Sequence, residues 1–224
     1  MANVVNSAAM LAAKEDAAAV THQHFAQVLE QHRMGGAATP GQAALGVEDR
    51  RRIAVHEAGH AVVARLLDVG IVEKVSILQR GRALGVTLVT NEQDRILQSE
   101  PEVRARMSML LGGRCAELLV LKTLSTGAAN DLEHVSGMAY RMVTEFGFSK
   151  DIGPFSYAGL PERERQAGRF PEAVAEAREI VKQIEVHCAG LERLTARLLE
   201  RETVSGAEVD ACLALPDPAE RLAA

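Results

Sequence analysis

The chain has 224 residues, of which 47% are hydrophobic but only 3% aromatic, with no Trp. That length holds one large domain or two small ones with an ample core, and the composition suits an Ala- and Leu-rich helical protein. A net charge of -5, with the basic residues scattered along the chain, argues against a nucleic-acid partner.

No signal peptide is visible at the N-terminus, and the longest apolar runs, such as 61–67, are too short to span a bilayer. Cys115, Cys188 and Cys212 are odd in number and share no C-x-x-C spacing, which reads as reduced thiols in the cytoplasm. Residues 2–14 predict an amphipathic helix packing through Val4, Val5, Ala8, Met10 and Leu11. Thr21 is an N-cap for a second helix with Phe25, Val28 and Leu29 on one stripe. His22, His24 and His32 share no single turn of that helix and read as solvated. Residues 35–46 (GGAATPGQAALG) lack charge and form a linker, which sets a domain boundary.

Residues 56–60 then read His-Glu-Ala-Gly-His. On a helix His56 and His60 project from one face and can hold one metal ion. Glu57 stands where its carboxylate can take a proton from a water at that ion, the H-E-x-x-H arrangement of metallopeptidases. Ile53, Val63 and Leu67 continue the face of the histidines, and Val55, Val62 and Leu66 form a second apolar line, so this helix is predicted to be buried nearly all round. Gly59 inside it costs about 1 kcal/mol relative to Ala and implies that another segment packs closely there. Two core histidines held by hydrogen bonds are the plain structural alternative.

Strands follow at 72–78 and 85–90, joined by a turn at Arg80, Gly81 and Arg82. Ser99 with Glu102 forms a capping box for a helix whose core stripe is Val103, Met107, Leu110, Leu111 and Leu118; Gly112 and Gly113 interrupt it and hint at close helix contact. Cys115 on it reads as a small buried hydrophobe. Asn130 with Glu133 opens a further helix to about Phe146, placing Asp131 in its first turn. Residues 151–168 read as an exposed loop. From Pro171 a long helix carries Val174, Ala177, Val181, Ile184, Cys188, Leu191 and Leu198 as a packing seam, interrupted at Thr195. Ser205 and Glu208 cap the last helix, and Pro216 and Pro218 end it.

A catalytic zinc takes three protein ligands and leaves a position for water. Spacing alone leaves three candidates for the third ligand: Glu117, Asp131 and His134. Glu117 follows Arg114 by three and has an ion pair as its ordinary role. His134 lies one turn after Asp131, and Asp131 follows a loop rather than a long charged helix face.

Residues 55–61 (VHEAGHA), 80–87 (RGRALGVT), 112–114 (GGR), 125–131 (STGAAND) and 142–149 (MVTEFGFS) closely resemble, in this order, the peptidase domain of the FtsH family of ATP-dependent zinc metallopeptidases. The resemblance runs from about 47 to 214, and residues 2–34 resemble the last helices of the AAA lid that precedes that domain. It implies that His56, His60 and Asp131 hold Zn2+ and that Glu57 is the general base. It also implies unfolded or extended polypeptides as substrate, and a homo-oligomer, hexameric as in the family, served by an AAA ATPase. The expected layout is a lid remnant at 1–34, a linker at 35–46, a zinc metallopeptidase domain at 47–214 and a tail at 215–224. The expected fold is mainly α and zincin-like, with a small β-sheet and a C-terminal helical hairpin.

The chain departs from the family in lacking a G-x-x-x-x-G-K-[ST] phosphate loop and a membrane span, in having Leu118 where a second Glu is usual, and at His134. It is expected to be an excised piece or a stand-alone relative, cytoplasmic, with any membrane association made through other segments. The rival from another class is a non-catalytic assembly or partner-binding module with a structural or empty metal site; the presence of Glu57 argues against it.

Overall fold

The structure is a computed structural model that describes residues 2–33, 45–79, 84–90, 97–148, 153 and 187–214. Helices α1 (Ala2–Lys14) and α2 (His22–Arg33) pair with each other. They are followed by α3 (Val47–Leu66), strands β1 (Ile71–Ser76) and β2 (Val86–Thr90), and α4 (Glu100–Ala116). The last helix runs on as a π-helical turn (Glu117–Leu121). A 3-10 turn (Thr126–Ala128) leads into α5 (Ala129–Thr144), and the described chain closes with α6 (Cys188–Arg201), β3 (Thr203–Ser205) and α7 (Gly206–Leu213). The domain is mainly helical with a small sheet, as expected. The turn at 80–82, the linker at 35–44, the loop at 154–168 and the first part of the long helix from Pro171 lie outside the described residues.

Helix α3 is the centre of the core. Every residue from Ile53 to Arg65 is buried, which Ala54, Ala58, Ala61 and Ala64 permit because their small side chains let neighbours approach from all sides. It packs on α4, on α6 and on the sheet. The crossing with α4 is made by glycines. A methyl group at Gly59 would collide with the Gly112 carbonyl and lie 2.6 Å from Ala116 Cβ, and one at Gly112 would lie 2.7 Å from the Gly59 carbonyl oxygen. The two backbones therefore touch, in keeping with the glycines present in both segments.

The sheet is antiparallel in the order β2-β1-β3. Val75 pairs with Thr87 on one side and Val204 on the other, and a bulge interrupts β1 between Val72 and Lys74. The third strand is absent from the sequence reading: at three residues it is too short to show an alternating pattern. α6 and α7 pack on one another across it. Arg65 of α3, almost wholly buried, forms a bidentate pair with Asp210 of α7, Nε to Oδ1 at 2.6 Å and Nη2 to Oδ2 at 3.0 Å.

The capping boxes at Ser99 and Ser205 both form, through Glu102 (2.7 Å to the Ser99 N–H) and Glu208 (2.9 Å to the Ser205 N–H). Other expectations need correction. Asn130 is inside α5 rather than at its cap, because the preceding 3-10 turn starts the helix at Ala129. Val5, Met10 and Leu29 are exposed, while Ala8, Ala12 and Val28 carry the α1–α2 contact. His24 is buried, not solvated. The Thr21 N–H donates to its Nδ1 at 2.9 Å and Glu15 lies 3.2 Å from its Nε2. It occupies the place that a glutamate takes in a capping box. Leu118, expected on the core stripe, is 46% exposed. Glu117, the residue before it, is the one buried there, at the start of the π-helical turn.

Gly59→Ala is expected to destabilise the fold by about 1–3 kcal/mol, because overpacking outweighs the gain in helix propensity. Gly137 lies exposed in α5 with nothing within 4 Å of an added Cβ, so Gly137→Ala should stabilise by about 0.5–1 kcal/mol. Denaturant midpoints of the two variants moving in the same direction would contradict the packing described.

Candidate metal centre

Helix α3 presents His56 and His60 one turn apart, with their rings edge to face and centroids 4.7 Å apart. Each imidazole is fixed by a partner on the α4 side. His56 Nδ1 lies 2.8 Å from Glu117 Oε1, and His60 Nδ1 lies 2.8 Å from the Met109 carbonyl oxygen. Carboxylate and carbonyl oxygens accept only, so both Nδ1 atoms carry the proton and both Nε2 atoms present lone pairs. Gly113 makes room for this: a methyl group there would sit 2.7 Å from Cδ2, Cε1 and Nε2 of His56.

The two Nε2 atoms meet Asp131, held in the first turn of α5. Asp131 Oδ2 lies 3.2 Å from His56 Nε2 and 3.4 Å from His60 Nε2. These three atoms fall within 4.8 Å of one another. All three offer lone pairs, so what joins them must be positive, a proton or a metal ion. For ligands ~2.0–2.1 Å from a tetrahedral ion, donor atoms stand about 3.3–3.4 Å apart, which the Asp131 distances match. Two imidazole nitrogens and a carboxylate oxygen, with both imidazoles oriented by a second hydrogen bond, fit a divalent ion of the zinc type.

The electrostatics carry the same mark. Burial acts to lower the pKa of His60, but Asp131, Glu57 and the Met109 carbonyl outweigh it and raise it to about 9. Burial likewise opposes ionisation of Asp131, yet the two histidines hold its carboxyl far below the usual carboxylate range. Glu57, next to His56, is pushed up by burial, and His60, His56 and the Thr87 hydroxyl only partly offset the shift. A buried carboxyl of raised pKa beside a convergent donor set is a candidate for proton transfer.

Of the three candidates for the third position, only Asp131 reaches the histidine Nε2 atoms among the described residues. His134 is exposed, with its Nδ1 bound to the Asn130 carbonyl at 2.9 Å. Glu117 is fully buried on the Nδ1 side of His56, and its ion-pair partner is Arg52, at 3.0 Å, rather than Arg114. Ser125 donates to Glu117 Oε1 at 3.0 Å, and Arg52 also reaches the Thr123 hydroxyl at 3.0 Å. The orienting role of Glu117 was not readable from spacing, since it rests on a contact between α4's end and a helix 61 residues away in the chain.

Comparison with known proteins meets this geometry from another direction. Residues 43–185 match the sequence profile of peptidase family M41. The chain belongs to peptidase family M41. It is 40% identical to the ATP-dependent zinc metalloprotease FtsH 4 of Sorangium cellulosum over 93% of this chain and 35% of that protein. It is 37% identical to FtsH 2 of Sphaerobacter thermophilus and 39% to FtsH 1 of Symbiobacterium thermophilum, each over 96% of this chain. The M41 chain described here thus spans about a third of the length of these curated relatives. The FtsH-family resemblance of its motifs holds. The M41 match ends before α6, β3 and α7, of which α6 and α7 pack against α3 and β3 pairs with β1.

Glu117→Ala would leave Arg52 without its carboxylate and His56 without its orienting partner. We expect a loss of about 2–4 kcal/mol of stability, moderated because Arg52 can turn to solvent. The loss should persist in excess chelator, where metal contributes nothing; a stability difference that vanishes with the metal would contradict it.

Proposed function

We propose that the chain is a zinc metalloendopeptidase domain that hydrolyses peptide bonds of unfolded or extended polypeptides. The observation that supports this most is the convergence of His56 Nε2, His60 Nε2 and Asp131 Oδ2 with both Nδ1 atoms already engaged. His56, His60 and Asp131 are the residues that would hold zinc, the metal in the relatives' names. Bound there, zinc supplies Lewis acidity toward a carbonyl or a water oxygen.

The remaining chemistry belongs to the chain. Glu57 takes the proton of the attacking water on its carboxylate and delivers it to the departing amine nitrogen, a single group serving as base and then as acid. Its raised pKa brings it nearer to the pH at which it must do both. Substrate lies along β2, an edge strand with a partner on one side only among the described residues, by strand addition.

The proposed layout keeps 1–34 as the end of a AAA lid, 35–46 as a linker, 47–214 as the peptidase domain and 215–224 as a tail. Ion pairs from Arg33 and Glu30 of α2 to Glu73 and Lys74 of β1 support a lid seated on the sheet. The relatives' names couple proteolysis to ATP; the present chain holds no phosphate-loop sequence, so its own cleavage is independent of ATP and limited to segments already unfolded. Exposed Met10, Val47 and Leu97 suit self-association into a homo-oligomer, hexameric in our reading. Cys115 and Cys212 stand as thiols, which suits the cytoplasm. No helix among the described residues is long and apolar enough to cross a membrane.

Glu57→Gln should retain zinc near stoichiometry and lose casein hydrolysis by about 100-fold or more. Asp131→Asn should weaken zinc binding, whereas His134→Ala should leave it unchanged. Equal zinc loss in the Asp131 and His134 variants would overturn the ligand assignment, and substantial activity in Glu57→Gln would overturn the base.

The chain alone should cleave casein slowly, spare a tightly folded protein, and respond to neither ATP nor its removal. Degradation of the folded substrate, or stimulation by ATP, would refute the motor-independent reading.

A further inference from the structure

The carboxylate of Glu57 is held from one side. Among the described residues its side-chain hydrogen bond comes from Thr87, whose hydroxyl lies 2.8 Å from Oε2 and 3.1 Å from the Glu57 main-chain oxygen. Thr87 stands on β2 opposite Val75, which is fully buried, so its side chain faces α3. Gly85, two residues earlier, bounds the other side. A methyl group there would lie 2.7 Å from both Cγ and Oε1 of Glu57 and 2.9 Å from Cδ. Those atoms sit at the end of a flexible side chain, so a Cβ at 85 would displace the carboxylate and leave the backbone in place.

We propose that Thr87 is a positioning residue that fastens the general base to the substrate-bearing strand, with Gly85 leaving open the space beside the second carboxylate oxygen. Thr87 engages Oε2, and Oε1 is then the oxygen that takes the proton from water and releases it to the leaving amine. The threonine keeps its own proton throughout. The strand proposed to carry the substrate backbone is thereby the strand that sets the base, so peptide bond and base share one frame. Pre-set geometry of this kind acts on kcat, because misplacement by about 1 Å costs on the order of 100-fold.

This inference rests on the reading of Glu57 as the base, and the experiment separates the two. Thr87→Val, Thr87→Ser, Gly85→Ala and Glu57→Gln are made in the full chain and loaded with zinc. Kinetics are measured on a fluorogenic peptide derived from casein, zinc affinity by chelator competition, and folding by thermal unfolding. Valine suits an edge strand, so Thr87→Val should fold. We expect its kcat to fall about 10- to 100-fold, the loss of one hydrogen bond to a charged group, with KM and zinc affinity within about twofold. Thr87→Ser should recover most of the rate, and Gly85→Ala should repeat the loss of kcat.

An unchanged kcat in Thr87→Val, a parallel loss of zinc affinity, or no recovery in Thr87→Ser would overturn the proposal. An active Glu57→Gln, or a wild-type chain inactive on the peptide, would instead count against the base or the endopeptidase reading. The crystal structure of zinc-loaded Thr87→Val then decides the inference: a displaced Glu57 carboxylate supports it, and one in its original place overturns it.

Discussion

Backbone meets backbone where Gly59 of α3 crosses Gly112 of α4, and the arrangement of the candidate metal centre follows from that contact. Helix axes ordinarily stand 8–10 Å apart, held off by side chains. Here the side chains are removed at the crossing, and three features of α4 and its π-helical extension come within reach of α3. The Met109 carbonyl reaches His60, Gly113 accommodates the ring of His56, and Glu117 reaches the Nδ1 of His56. Hydrogen bonds at 2.8 Å weaken within a few tenths of an ångström of extra separation. The glycine contact is therefore what holds both imidazoles in the tautomer that leaves Nε2 available.

Asp131 arrives by a different route. It belongs to α5, whose first turn is aimed by the 3-10 segment and by Ser125, and Ser125 in turn touches Glu117. The two histidines and the carboxylate thus come from separate elements tied together through one buried glutamate, which Arg52 neutralises from the α3 side. A buried carboxylate shared between a cation and an imidazole fixes both without leaving an uncompensated charge. The centre is as much a polar network as a set of ligands, and the network's geometry depends on the crossing above it.

Much of this was legible in the residues where the signal is local. The His-Glu-x-x-His spacing, the capping boxes at Ser99 and Ser205, the two longer strands and the glycine pair of α4 each concern neighbours along the chain. What escaped is set by distant partners. Spacing could not separate Glu117, Asp131 and His134, because the choice depends on which side of an imidazole each one meets. Leu118 is exposed and Glu117 beside it is buried, because a polar partner, the His56 Nδ1–H, and not hydrophobicity, decides which of the two faces inward. His24 resembled a solvated histidine because its partner Glu15 lies in the turn after α1, nine residues back along the chain. Strand β3 owes its existence to the free edge of β1, and nothing within its three residues advertises it.

That short strand separates two boundaries that are easily confused. The M41 match stops at residue 185, yet β3 covers one edge of β1, and Asp210 of α7 neutralises the buried guanidinium of Arg65 on α3. A chain cut at the family boundary would keep every residue proposed for catalysis. It would expose an unpaired sheet edge, the surface through which strands aggregate, and would uncover the apolar face of α3 that α6 and α7 bury, with Arg65 left without its carboxylate partner. A fragment that retains the residues to Leu213 keeps that edge paired and that face covered. The stretch that the family profile matches is shorter than the unit that folds, whereas the similarity to the relatives runs on across nearly the whole chain.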